Sequence, residues 1–185
     1  MSRGALVLVV GPSGAGKDTL IAAAQRALGS NGHFVFPRRI VTRNAVAARE
    51  DHDSLDRAGF EAARQRGDFA LDWEAHGLRY ALPAGIDAEL EGGRIVVANV
   101  SRRVIPDALQ KYARARVVLV TADAAVRAAR LAGRGRETAE QVAARLSREG
   151  APVPAGVTPM VIDNSGTIEA GRAAFVEALA RIAAE

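Results

Sequence analysis

The sequence contains no cysteine, which excludes disulfides and thiolate metal centres. It has three histidines, too few without cysteine for an ordinary structural zinc site. Phenylalanine, tryptophan and tyrosine together make up 4% of the chain, which argues against a base-stacking platform for single-stranded nucleic acid. Lysine is scarce: of 25 basic residues only Lys17 and Lys111 are lysine, leaving 23 arginines. Long apolar runs are missing near the N-terminal end. Ala5 to Val10 is six residues long and ends in Gly11-Pro12, whereas a signal-peptide core needs roughly 7–15 apolar residues and a membrane span about 20. No membrane partner is expected, and a cytoplasmic location is the default, in keeping with the lack of cysteine.

What is present describes one globular domain. The chain has 185 residues, 49% hydrophobic and 25% charged, enough to bury a sizeable core. The isoelectric point near 10.3 invites a nucleic-acid reading. The net charge is only +4, however, and 21 acidic residues are interspersed with the basic ones. No basic run of the usual length occurs, so the bias is read as an arginine-rich surface with no nucleic-acid partner.

Apolar runs and breakers then alternate along the chain. Residues 5–10, 38–42, 69–73, 78–82, 94–99, 117–121 and 159–163 read as strands, with 69–82 as a hairpin around His76-Gly77. Helices are expected over 18–28, from a Ser54 cap to Arg66, around 106–112, from Asp123 to Ala132, over 138–148 and over 168–184. Strand–helix alternation predicts an α/β fold: a parallel sheet with helices on both faces. The strand-rich stretch 38–82 reads as a small insertion into a single domain whose core is 1–37 and 83–185.

The most specific motif is Gly11-Pro12-Ser13-Gly14-Ala15-Gly16-Lys17, which follows a strand and opens a helix. Gly11, Gly16 and Lys17 have the spacing of the phosphate-binding P-loop. Its glycines let backbone N–H groups curl toward phosphate oxygens, and the helix N-terminus adds partial positive charge. Asp18 stands where the pattern has Ser or Thr on Mg²⁺. Thr19 is one residue late, a rotation of about 100° around the helix. Asp18 is therefore either the metal-side ligand, directly or through water, or a charge favoured by the helix dipole.

From the P-loop onward the sequence resembles guanylate-kinase-like P-loop phosphotransferases. Arg39-Ile40-Val41-Thr42-Arg43 resembles the Thr-Arg segment of the acceptor region. Gly77-Leu78-Arg79-Tyr80 resembles the Gly-x-Tyr-Tyr stretch, and Arg134-Gly135-Arg136-Glu137 with Arg145-Leu146 the arginine-bearing lid, about 133–148. Guanylate kinase itself fits less well: Val46 replaces an arginine, Leu71 the guanine-reading Glu, and Asn99 and Ser101 two Asp. The sequence is closer to the ribose 1,5-bisphosphate phosphokinases of phosphonate breakdown. It is similar to them in Gly16-Lys17-Asp18, Arg39 to Arg43, Glu50, His52, Trp73, Tyr80, Asn99-Val100-Ser101-Arg102 and Arg134 to Glu137. Ala81 departs from that pattern, which has Gly after the Tyr.

The resemblance implies transfer of the ATP γ-phosphoryl group, with Mg²⁺, to ribose 1,5-bisphosphate, giving 5-phosphoribosyl 1-diphosphate. The alternative is a guanylate-type nucleoside monophosphate kinase. The implied ATP site is Gly11, Pro12, Ser13, Gly14, Ala15, Gly16, Lys17, Asp18 and Thr19, with Lys17, Arg134 and Arg136 catalytic. The implied acceptor site is Arg39, Arg43, Glu50, His52, Tyr80, Asn99, Ser101, Arg102 and Arg145. Arginine suits such a site because its planar fork grips phosphate bidentately. Trp73 and Tyr80 are read as packing residues with a polar tip toward the cleft, and Asn164 as either an adenine contact or a turn residue. A monomer or homodimer is expected.

Overall fold

Residues Ala5–Val10 form strand β1, every residue of which is buried. Side chains alternate along a strand, so β1 feeds two cores. Ala5, Val7 and Val9 pack on one face with Leu20, Ala24, Phe175, Leu179 and Ile182. Leu6, Leu8 and Val10 pack on the other with Leu71, Trp73, Leu82, Ile86 and Ile105. A continuous apolar run is what a parallel strand covered on both sides requires.

The computed structural model describes residues 4–42, 52–75, 77–133, 146 and 152–185. After β1 come α1 (Lys17–Leu28), β2 (Phe34–Val35), β3 (Arg39–Val41), β4 (His52–Ser54), α2 (Arg57–Gln65), β5 (Phe69–Ala75) and β6 (Leu78–Pro83). Then follow α3 (Ile86–Glu91), β7 (Ile95–Asn99), α4 (Ile105–Lys111), β8 (Ala115–Thr121), α5 (Ala124–Ala132), β9 (Met160–Asp163) and α6 (Ile168–Ala184). The main sheet has the order β2-β7-β1-β8-β9, all parallel, so the loops after its strands leave from one edge. A second sheet has the order β4-β3-β6-β5. In it β3 runs parallel to β4 and antiparallel to β6, and β5–β6 is a hairpin. Leu71, Trp73 and Leu82 of that hairpin belong to the second core, which fixes the small sheet against the large one.

The α/β reading of the sequence and the hairpin both hold. The helix expected from Ser54 starts later. His52–Ser54 pairs with β3, and the next N–H, of Leu55, bonds Val41 O at 3.1 Å. Extended pairing thus carries the chain past Ser54, and Asp56 caps α2 instead, accepting from the Gly59 N–H at 2.6 Å. The two-residue β2 and six-residue α3 have no counterpart in the sequence reading; both are too short to display a period. His76 and the helix expected over 138–148 lie outside the described residues, except Leu146, which is helical.

Truncation of a residue that feeds the core between the sheets should be costly. Leu8→Ala is expected to lower the unfolding free energy by about 2–5 kcal/mol. Val161→Ala, at a residue 57% exposed, should change it by less than about 0.5 kcal/mol. Urea denaturation of both variants checks this.

Candidate active site

The P-loop leaves β1 at its C-terminal end and enters α1 through Gly16, whose φ of 92° lies in the left-handed region that favours glycine. Gly11 faces a second constraint: a Cβ there would stand 2.1 Å from Val120 O on β8. Lys17 lies back across the loop, its Nζ donating to Gly11 O at 2.8 Å and Pro12 O at 3.1 Å. The ammonium therefore sits over the loop's mouth, where the motif places a phosphate-contacting charge. Ala15 is fully buried, and Thr19 lies on the exposed side of α1.

Asp18, in the first turn of α1, joins three elements. Its Oδ1 accepts from Asn99 Nδ2 at 2.5 Å, at the end of β7. Arg39 Nη2 of β3 stands 4.0 Å from the same oxygen. Arg39 also lies over the Tyr80 ring, 6.0 Å from its centroid, and Tyr80 stacks on Trp73 with centroids 5.7 Å apart and planes within 8°. The stack follows from strand register, because Trp73 and Tyr80 are directly opposed in the hairpin and Tyr80 opposes Val41. Trp73 is 8% exposed, so it serves mainly as the floor under Tyr80.

The Thr-Arg segment is pinned at its threonine. Thr42 Oγ1 accepts from the Arg79 N–H at 2.8 Å, and the Thr42 N–H donates to Arg79 O at 2.9 Å. The Arg79 side chain pairs with Glu61 of α2, and Arg38 pairs with Asp53 at 3.3 Å. Beyond β7 the Ser101 hydroxyl accepts from the Arg103 N–H at 3.3 Å and caps a short 3₁₀ turn that contains Arg102.

The structure therefore gathers Lys17, Asp18, Asn99, Arg39 and Tyr80, and sets Ser101 and Arg102 in the turn just past Asn99. The backbone of His52 lies in β4 beside Arg39. Arg43, Glu50, Arg134, Arg136 and Arg145 lie outside the described residues.

Two further residues reach the loop from the opposite side. Asn164 follows β9 and is 4% exposed. Its Nδ2 donates to Ala15 O at 2.7 Å. Of the two readings of Asn164 left open by the sequence, neither anticipates this contact. Arg130 of α5 donates to Asn164 O at 2.9 Å and, at 3.5 Å, to Ala15 O. Arg130 carries no sequence signal, being one of 23 arginines. Asp163, beside Asn164, is held below the ordinary carboxylate range by hydrogen bonds from the Ser165 hydroxyl and the Ser165 N–H. Ser165 Oγ accepts in turn from the Asp123 N–H at 2.9 Å, tying the loops after β8 and β9 together.

The fold and loop define a P-loop protein, and residues 7–149 match the family described as an AAA domain. The ribose 1,5-bisphosphate phosphokinase PhnN of Brucella melitensis is 50% identical over 98% of this chain and 94% of its own length. The enzyme of the same name from Acidiphilium cryptum is 51% identical over 96% of this chain and 93% of its own. The chain belongs to the ribose 1,5-bisphosphate phosphokinase family. A solved guanylate kinase from Anaplasma phagocytophilum has the same fold, with a TM-score of 0.71 at 16% identity, covering 100% of this chain and 88% of that one. Among the described residues no helix is long and apolar enough to cross a membrane.

Thr42→Val would keep the shape of the side chain and leave the Arg79 N–H without its acceptor. It is expected to cost about 1–3 kcal/mol of stability, read as a shift in the urea midpoint.

Proposed function

We propose that the protein transfers the γ-phosphoryl group of ATP to the 1-phosphate of α-D-ribose 1,5-bisphosphate, yielding 5-phospho-α-D-ribose 1-diphosphate and ADP, in the cytoplasmic breakdown of phosphonates. The observation that carries this reading is identity of about half, along nearly the whole chain, to relatives named for that acceptor. The geometry supports it, because the phosphate loop and the Arg39–Tyr80 corner meet at Asp18.

The nucleophile is an oxygen of the 1-phosphate, already ionised at neutral pH, so no general base is needed. That oxygen attacks the γ-phosphorus, the bond from γ-phosphorus to the bridging oxygen breaks, and ADP leaves with that oxygen. Catalysis is then mostly positioning and charge compensation. In this reading Gly11 to Thr19 hold ATP, with Lys17 at the β- and γ-phosphates. Arg39, Arg43, Arg102 and Arg145 clamp the two phosphates of the acceptor. Glu50, His52, Tyr80, Asn99 and Ser101 face the sugar. Arg134 and Arg136 close over the transferring group. The strand-rich stretch 38–82 is the acceptor-binding part of a single domain, and 133–148 its lid.

A divalent metal suits the donor set. The Asp18 carboxylate is a hard oxygen ligand, half-exposed and one residue from Lys17. Among the described residues no three His, Asp or Glu side chains gather as a metal site, so phosphate oxygens and water would complete the shell. Bound there, Mg²⁺ would neutralise charge on the nucleotide phosphates. Asn99 orients the carboxylate in either case.

The guanylate reading is less well supported. Leu71 is buried in the second core, and the Asn99 amide is engaged with Asp18. Neither offers the carboxylate that guanine's N1–H and N2 donors call for.

An acceptor panel tests the proposal: ADP release is coupled to a spectroscopic assay, and the product is identified by phosphorus NMR. Turnover with ribose 1,5-bisphosphate and a diphosphate signal is expected; turnover with GMP and none with the sugar would overturn the assignment. Lys17→Ala should lower kcat by about 100-fold or more while the circular dichroism spectrum of the folded protein is retained. Asp18→Asn should raise the Mg²⁺ concentration needed for half-maximal rate.

A further inference from the structure

The Asn164 contact concerns a carbonyl and bears on the N–H across the same peptide. The Ala15–Gly16 peptide is trans, as are all peptides described. In a trans peptide the C=O and the following N–H point in opposite directions. Ala15 O is turned outward, toward Asn164 Nδ2 at 2.7 Å and Arg130 Nη1 at 3.5 Å. The Gly16 N–H is therefore turned the other way, into the loop that Lys17 overhangs.

That orientation is not secured by the loop alone. Glycine accepts both signs of φ, so a peptide ending at Gly16 can reverse at little conformational cost. The outer side is closed instead by Asn164. A Cβ on Gly16 would stand 2.5 Å from Asn164 Nδ2, and one on Gly171 of α6 would stand 2.1 Å from Asn164 Oδ1. Asn164 is itself fixed at both ends of its backbone. Its N–H donates to Thr121 O at 2.8 Å, and its carbonyl accepts from Arg130 Nη2 at 2.9 Å.

We propose that Asn164 and Arg130 are positioning residues for phosphate binding: by holding the Ala15 carbonyl outward they aim the Gly16 N–H at the phosphates of the bound nucleotide. Neither needs to touch the nucleotide. Both act through one peptide plane, and their effect falls on the donor nucleotide rather than on the acceptor. The proposal rests on the nucleotide-binding reading of the loop, and the test separates the two.

The test is Asn164→Asp, which keeps the size of the side chain and sets a carboxylate oxygen against the Ala15 carbonyl. ADP binding is measured by isothermal titration calorimetry, KM is measured for ATP and for ribose 1,5-bisphosphate, and melting is followed by circular dichroism. ADP affinity and KM for ATP are expected to weaken roughly tenfold or more, the scale of losing one hydrogen bond in a charged site. The acceptor KM should stay within about twofold. A residue that only supports the fold would lower the melting temperature and leave the two KM values in proportion. Arg130→Gln supplies the second arm should Asn164→Asp not fold, with a several-fold loss of ADP affinity expected. Wild-type ADP affinity in either folded variant would overturn the proposal alone. Failure of the unmutated protein to bind ADP would overturn the nucleotide reading and the proposal with it.

Discussion

A loop that offers its N–H groups to an anion must send its carbonyls somewhere else. A buried carbonyl without a donor costs about as much as a lost hydrogen bond. Here the carbonyls of Gly11 and Pro12 meet the Lys17 ammonium, and that of Ala15 meets Asn164 and Arg130. The donors come from α1, α5 and the loop after β9, so the loop draws its partners from three separate elements. The close approach of Gly11 to Val120 O adds β8 to that set.

The same economy governs the second sheet. One face of β1 packs against α1 and α6, the other against the hairpin of the second sheet. Burial of Leu71, Trp73 and Leu82 thus carries Tyr80, and through it Arg39, to the side of the molecule where β1 and β7 end. Asp18 then stands at the corner where the P-loop, β7 and β3 converge. A Ser or Thr at that position would be too short and uncharged to attract Arg39 as well as meet Asn99.

Much of this was legible in the sequence, and the reasons differ by element. Ala5–Val10 is a short continuous apolar run and 18–28 an alanine- and leucine-rich stretch, with a glycine-rich break between them, and α6 spans the 168–184 expected of it. The hairpin showed itself through Gly77 and the aromatic residues on both sides. Ser54 misled because a local capping preference competes with strand pairing, and the partner strand ends 13 residues earlier, at Val41. Within the site, motif position marks Lys17 and Asp18, and the family resemblance marks Arg39. Arg130 carries no such mark, and Asn164 is singled out only as an adenine contact or a turn residue, because what joins them is a meeting of residues 34 positions apart with a third more than 100 positions upstream. No local pattern encodes such a meeting.

The register of the small hairpin has an evolutionary consequence. Trp73 faces Tyr80 because the strands are paired so that both side chains emerge on one surface. Side chains alternate with a period of two. Shifting β6 by a single residue against β5 would move Tyr80 to the opposite surface, away from Arg39, and bring Arg79 or Ala81 into its place. The turn around Gly77 can therefore vary in composition far more readily than in length by one. Diversity among relatives on this side of the molecule is expected to come as substitutions, or as insertions and deletions that preserve the pairing phase.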